Sequence, residues 1–382
     1  MDLSLLWDSW TLVAILGAAF LIGWTAEAAQ TFIPRALALS ILAWLQTLPE
    51  FAVEASIAWN QQRDLMIANL TGSLRLLVGL GWPMIFFVYF FFQGVRKRRW
   101  ISEIHLEKGD YLSVLFLFIS ILYFILILLK RSLTCVDSVV LSAIYIVYLV
   151  VLMKMPNEPE EAITDLPLVS RQIIKLPFGP KIITTVVLFA IGGVILYFTV
   201  EPFIHTLQKW AVLMGVSSFV FVQWLAPFLS EFPEKVTAFN WARQEKKAPM
   251  ALMNMVNSNI NQWTMLAAMI PLVFSLSIGD MTPVLLDDMH ADEMALTIAQ
   301  SALGGLLLLD MRFSWWDALG IFVLWVVQFV EASLREEITY VYLAWIAFEV
   351  VRYGYLYVSS KQIPEVFVLL NGSSWVKKRR GR

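Results

Sequence analysis

Two stretches of this sequence set carboxylates directly after proline in strongly apolar surroundings: LQTLPEFAVEAS at residues 45–56 and LSEFPEKVTAF at residues 229–239. Proline lacks a backbone N–H and clashes with the preceding turn, so Pro49 breaks its helix and frees carbonyls near Leu45. At membrane depth, freed carbonyls are tolerated where they line a cavity. A carboxylate beside the break adds the hard oxygen ligands that sodium and calcium take. Glu50 and Glu234 would supply two charges to one cation site, with the hydroxyls of Thr47, Ser73, Ser230 and Ser258 close by. An ionisable side chain at the centre of a span costs about 2.5–3.5 kcal/mol on insertion scales. Two such costs at corresponding places argue for function. Glu54 lies one turn beyond Glu50 on nearly the same face, and Arg75, midway along the next apolar segment, is its expected ion-pair partner.

The elements that must hold these residues are membrane helices. With 59% hydrophobic and 15% charged residues and a mean hydropathy of +0.70, the chain must use lipid as part of its solvent. Hydrophobic segments near 10–30, 34–59, 65–93, 111–129, 137–153, 182–200, 211–240, 249–278, 294–311, 315–332 and 337–358 predict about eleven transmembrane helices in an all-α polytopic membrane protein. With the N-terminus outside, the loops assigned to the cytoplasm, together with the basic C-terminal tail, carry 20 of the 28 Lys and Arg residues. That asymmetry matches the positive-inside rule and places the C-terminus in the cytoplasm of a cell (inner) membrane protein. The acidic loop 279–293 is expected outside. The net charge of −2 points to no nucleic-acid partner, and the single Cys135 excludes a disulfide framework or a thiolate metal cluster. No phosphate-binding glycine loop is present, so no nucleotide partner is expected. With only three histidines, an enzyme is not expected.

The chain also contains a repeat. QTLPEFAVEAS around Pro49 pairs with SEFPEKVTAF around Pro233, IANLTGS with LMNMVNSN, and CVDSVVLSAIYIVYLVVL around Asp137 with WWDALGIFVLWVVQFV around Asp317. Pro49 to Pro233 spans 184 residues, Asn69 to Asn254 and Ser73 to Ser258 span 185, and Asp137 to Asp317 spans 180. Five helices per unit is an odd number, so the second copy enters the membrane from the opposite face, an inverted repeat of the kind that builds secondary transporters. The expected organisation is a first five-helix repeat at 1–155 (motif 44–80) and a Pro-rich linker at 156–180. A second repeat at 181–334 (motif 223–270) follows, then an added helix with a basic tail at 335–382.

With these motifs the sequence resembles the cation/calcium antiporters, the sodium/calcium exchanger superfamily, as a divergent prokaryotic-type member. Each repeat of that family carries a GTSLPE helix followed by a GNVxGSNxxN/D helix, and the resemblance covers the ten-helix body. QTLPE and SEFPE match at proline and glutamate, which implies that Glu50 and Glu234 are the ion-binding glutamates. The second motif matches at Asn69, Gly72 and Ser73, and at Asn254, Ser258 and Asn259. The family's second-helix Asn or Asp falls on Leu77 in one repeat and on Gln262 in the other. The small hydroxyl of the first motif is Thr47 in one repeat and Glu231 in the other. Glu231 either replaces the missing carboxylate near Gln262 or faces a water-filled vestibule. Asn69 and Asn254 either touch ions or bridge helices.

The resemblance implies a secondary antiporter with no cofactor. Its partners are inorganic cations and the lipid bilayer, and it exchanges Ca2+ or another cation for Na+ or H+ by alternating access around a midplane carboxylate site. The expected ion-site residues are Glu50, Glu234, Thr47, Ser73, Ser230, Glu231, Ser258 and Gln262. The alternative is a scaffold or sensor that kept the fold and lost transport, motivated by Leu77 and by the extra cation Arg75 beside the pocket. The direction in which Arg75 points discriminates the two.

Overall fold

The computed structural model describes residues 9–29, 38–98, 100–154 and 166–372. Arg35, Arg99, the first part of the expected linker and the basic C-terminal tail lie outside the described residues.

The first half opens with α1 (Trp10–Ala29), then a helix in two pieces, α2 (Ala38–Gln46) and α3 (Leu48–Trp59). Next come α4 (Arg63–Leu76), a π-helical turn at Leu77–Gly81, α5 (Trp82–Tyr89) and a second π turn at Phe90–Val95. Strand β1 (Glu103–His105), α6 (Tyr111–Lys130), strand β2 (Ser132–Leu133) and α7 (Cys135–Leu152) complete it. A short α8 (Leu168–Ile174) leads to the long α9 (Phe178–Met214).

The second half repeats the scheme. A broken helix, α10 (Ser218–Ser230) and α11 (Phe232–Ala242), precedes α12 (Ala248–Asn261), a π turn at Gln262–Leu266 and α13 (Ala267–Ile278). Then come β3 (Val284–Leu285), α14 (Asp288–Leu307), β4 (Arg312–Ser314) and α15 (Trp315–Val330). The described residues end with α16 (Arg335–Ser360), bent 118° from α15, and α17 (Glu365–Gly372).

Local chemistry accounts for the repeat. Asp137 and Asp317, paired in the sequence, are both the third residue of a capping box. The Thr134 hydroxyl accepts from the Asp137 backbone N–H while the Asp137 carboxylate accepts from the Thr134 backbone N–H, and Ser314 and Asp317 do the same. Each box satisfies two of the orphan donors that begin a helix. Ahead of the boxes lie two antiparallel ribbons: Ile104 sits opposite Phe313 in one, and Leu133 opposite Val284 in the other. The offset that carries Asp137 to Asp317 carries Ile104 to Val284 and Leu133 to Phe313, so each ribbon is the other's image and joins one strand from each half. All four of these residues are buried. Each ribbon also joins two loops that the count of basic residues puts on one side of the membrane.

Seven helical segments among the described residues are long and apolar enough to cross a membrane by themselves. The outer faces of α9 and α16 expose Ile183, Val186, Tyr197, Phe198, Val351 and Val358, the apolar belt that lipid covers. The inner helices pack closely. A Cβ placed on Gly72 of α4 would lie 1.8 Å from the Gln223 carbonyl oxygen of α10, so only glycine lets these two backbones meet.

Candidate ion-binding site

Both broken helices part at the residue before a proline turn. Thr47 separates α2 from α3, with Pro49 in the first turn of α3; Glu231 separates α10 from α11, with Pro233 in the first turn of α11. Proline suits a first helical turn, where its missing N–H has no helical acceptor in any case. The breaks are 184 residues apart, as the prolines are, and the π turns that begin at Leu77 and Gln262 are 185 apart. A π turn widens the helix by one residue and often marks a functional site.

A buried carboxylate lies beside each break. Glu50 is fully buried and accepts from the Asn69 amide of α4 and from the Ser230 hydroxyl of α10. The same Asn69 amide donates to Glu54 at 2.7 Å, so Asn69 bridges both acids of the first repeat. Glu234 is fully buried and accepts from Asn254 at 3.1 Å and from the Ser258 hydroxyl of α12. The two halves interlock. Ser230, from the second repeat, serves Glu50; Ser73, from the first, donates to Glu231; Asn261 donates to Thr47 at 2.6 Å, and Asn259 to the Leu74 carbonyl at 3.3 Å.

All eight predicted site residues are buried, and each takes part in one of these hydrogen-bonded groups. Glu231 is held on every side: its Oε1 accepts from Gln262 at 2.6 Å and from Ser73, and its Oε2 faces the Lys235 ammonium at 2.7 Å. It therefore stands beside Gln262. Leu77 is buried at the start of its π turn and supplies no polar atom.

Acceptors outnumber donors here. Glu54 Oε1, Glu234 Oε2, Asn69 Oδ1, Asn254 Oδ1, Asn261 Oδ1 and Gln262 Oε1 are buried without a hydrogen-bond partner. A buried polar atom left unpaired costs about 1–3 kcal/mol. Clustered oxygens with no donor are what a cation satisfies. Among the described residues no three of His, Cys, Asp and Glu converge closely enough to cage a metal without help, so amide and hydroxyl oxygens must complete any coordination shell. A cavity of about 980 Å3 between α1, α11 and the loops after the second π turn and after α11 reaches Pro233, the neighbour of Glu234. Its lining includes Arg96, Lys97 and Arg243, which the charge count places on the cytoplasmic side.

The expected Arg75–Glu54 pair does not form. Arg75 lies on the far face of α4, where its guanidinium meets Glu293 at 2.5 Å, Gln328 at 3.1 Å and the Thr71 carbonyl at 3.3 Å, with the Trp224 ring 5.0 Å away. Arg335 of α16 takes the other Glu293 oxygen at 2.7 Å. Glu54 and Arg75 are 21 positions apart across a helical turn, and their faces diverge. Glu293 was counted among the acids of an external loop, but Asp287 caps α14 through the His290 backbone N–H and carries Glu293 into the bundle. The signal was present: an Asp followed by an apolar run of helical period starts a helix earlier than hydropathy alone suggests. Lys235 was also missed as a member of the site, although its four-residue spacing from Glu231 is an ion-pair spacing.

Comparison with known proteins identifies the family and the fold. The family model described as sodium/calcium exchanger protein matches residues 6–154 and 184–332. Among solved structures, the chain is similar to the H+/Ca2+ exchanger CAX, with 30% identity, TM-score 0.85, and coverage of 96% of this chain and 91% of that one. It shares the fold of native YfkE, with 13% identity, TM-score 0.60, and coverage of 85% and 90%. It also shares the fold of the sodium-calcium exchanger NCX_Mj soaked with Na+ and Sr2+, with 19% identity, TM-score 0.55, and coverage of 84% and 95%. Among curated proteins, none matches the sequence.

Proposed function

The chain belongs to the sodium/calcium exchanger protein family, and we propose that it is a secondary antiporter moving Ca2+ against H+ or Na+ through the buried site between its two repeats. The observation that carries this reading is the pair of fully buried glutamates, Glu50 and Glu234, each after a helix-breaking proline and each tied to its own repeat's Asn. Around them Glu54, Asn69, Glu234 and Asn254 hold acceptor oxygens that no donor reaches. A desolvated divalent cation is worth several such oxygens at once. A competing ion or proton neutralises the same charge, so the occupied site is exposed to one side at a time and exchange follows.

The stronger likeness to the H+/Ca2+ exchanger CAX, 30% identical against 19% for NCX_Mj, favours the proton as counter-ion. The cavity that ends at Pro233 is the natural route from the side bearing the basic loops. The motive for a scaffold or sensor weakens, because Arg75 turns its charge to Glu293 and away from the pocket.

The test is counterflow of radiolabelled calcium in proteoliposomes, with a pH gradient or with sodium. Glu50→Gln and Glu234→Gln keep shape and remove one charge from a site where charge is worth far more than in water. Both should lose calcium uptake at least tenfold. Parental rates from both variants at normal levels of insertion would show the glutamates to be structural.

A further inference from the structure

The breaks of the two repeats match in backbone but not in charge. Glu231 stands at the place of Thr47, and Lys235 at the place of Phe51, each 184 residues on. One repeat thus holds a hydroxyl and a phenyl ring where the other holds a carboxylate and an ammonium. Both charged groups are inside: Glu231 is fully buried and Lys235 is 5% exposed. Burying an ion pair costs several kcal/mol of desolvation per ion, and apolar replacements of similar volume are often neutral or stabilising. An ammonium in the first turn of α11 also opposes the positive end of the helix dipole. A site that accepts both costs is using the charge.

The geometry says for what. Glu231 holds its Oε1 against Gln262 and Ser73, and its Oε2 accepts from Lys235 at 2.7 Å. Ser73 and Gln262, which hold Glu231, are themselves predicted ion-site residues, so the pair lies against the proposed pocket of the exchanged ions. Four carboxylates, Glu50, Glu54, Glu231 and Glu234, are buried here, and of these Lys235 contacts Glu231. In size and charge an ammonium on a carboxylate resembles a monovalent metal ion held there.

We propose that Lys235 is a tethered substitute for a monovalent metal cation: it occupies, on Glu231, a place that Na+ would otherwise fill, and so sets how many ions the exchanger takes and which. This rests on the proposed antiport site. The first repeat, with Thr47 and Phe51, has no equivalent, so the substitution is confined to one end of the pocket.

Binding tests it independently of transport. Lys235→Met frees the Glu231 oxygen, so the purified variant in detergent should melt higher in NaCl than in choline chloride, by about 1–3 °C per tenfold rise in Na+. The parent, with that place filled by Lys235, should respond to Na+ less than the variant does. Glu231→Gln/Lys235→Met, which removes both charges, should respond no more than the parent. If Lys235→Met is recovered poorly, extraction in Na+ should rescue it where choline does not. Equal melting of Lys235→Met in both salts, a parental Na+ response as large as the variant's, or poor recovery that Na+ fails to correct overturns the proposal. In proteoliposomes the variant should move one more charge per Ca2+. A parent without calcium exchange defeats the antiport reading, while the melting comparison still decides the role of Lys235.

Discussion

Replacing Arg75 by leucine separates two accounts of the charge beside the ion site. Leucine retains the apolar bulk against Trp224 and removes the guanidinium with its contacts to Glu293, Gln328 and the Thr71 carbonyl. Breaking a buried ion pair from one side costs about 3–5 kcal/mol. Arg335 and Gln223 still hold Glu293, at 2.7 and 3.0 Å, so the loss should fall at the lower end, about 3 kcal/mol. Glu293→Gln leaves two arginines facing a neutral amide and should cost a similar amount. Because the two side chains share one interaction, the double variant should lose about 2 kcal/mol less than the sum. The control is Glu54→Gln, whose partner is Asn69. Combined with Arg75→Leu it should be additive within about 0.5 kcal/mol. Equilibrium unfolding of the detergent-solubilised protein, followed by tryptophan fluorescence, measures both cycles. Coupling of Arg75 to Glu54 and none to Glu293 would refute the reasoning.

The close crossing of α4 and α10 predicts that Gly72→Ala costs at least about 3 kcal/mol, the upper range for overpacking, because the added Cβ would lie 1.8 Å from the Gln223 carbonyl oxygen; an unchanged melting temperature would contradict the packing. The matched capping boxes predict that Thr134→Ala and Ser314→Ala each lose about 1 kcal/mol, and that the losses add because the sites lie at opposite ends of the bundle, which a two-variant melting series checks.

The periodic features of the molecule were legible in the sequence. The breaks at Pro49 and Pro233 follow from proline's missing donor, and the matching boxes at Asp137 and Asp317 from short-range hydrogen bonding, so both could be read within a few residues of themselves. The apolar segments fall on helices, but α9 runs unbroken through the expected loop at 201–210 and α14 begins before residue 294. What escaped was decided by direction in three dimensions. Arg75 and Glu54 are close in sequence and of opposite charge, but α4 turns Arg75 toward Glu293, which lies 218 residues away. The π turns at Leu77 and Gln262 have no local residue signature, because they arise from packing one helix against several others. Gln262 reaches Glu231 from such a turn, the contact that one of the two readings of Glu231 expects.

The two small ribbons govern the order in which this chain can become whole. β1 waits for β4 and β2 for β3, across some two hundred and one hundred and fifty residues respectively. Such non-local pairings are slow to form, because the loop must be closed before the contact rewards it. Until the second half has been synthesised, β1 and β2 present unpaired backbone edges, and a two-stranded ribbon is marginal without the packing around it. The halves are therefore related as repeats but are not separate folding units. Each supplies the strand that finishes the other, and a chain that stops after α7 is left with two open edges.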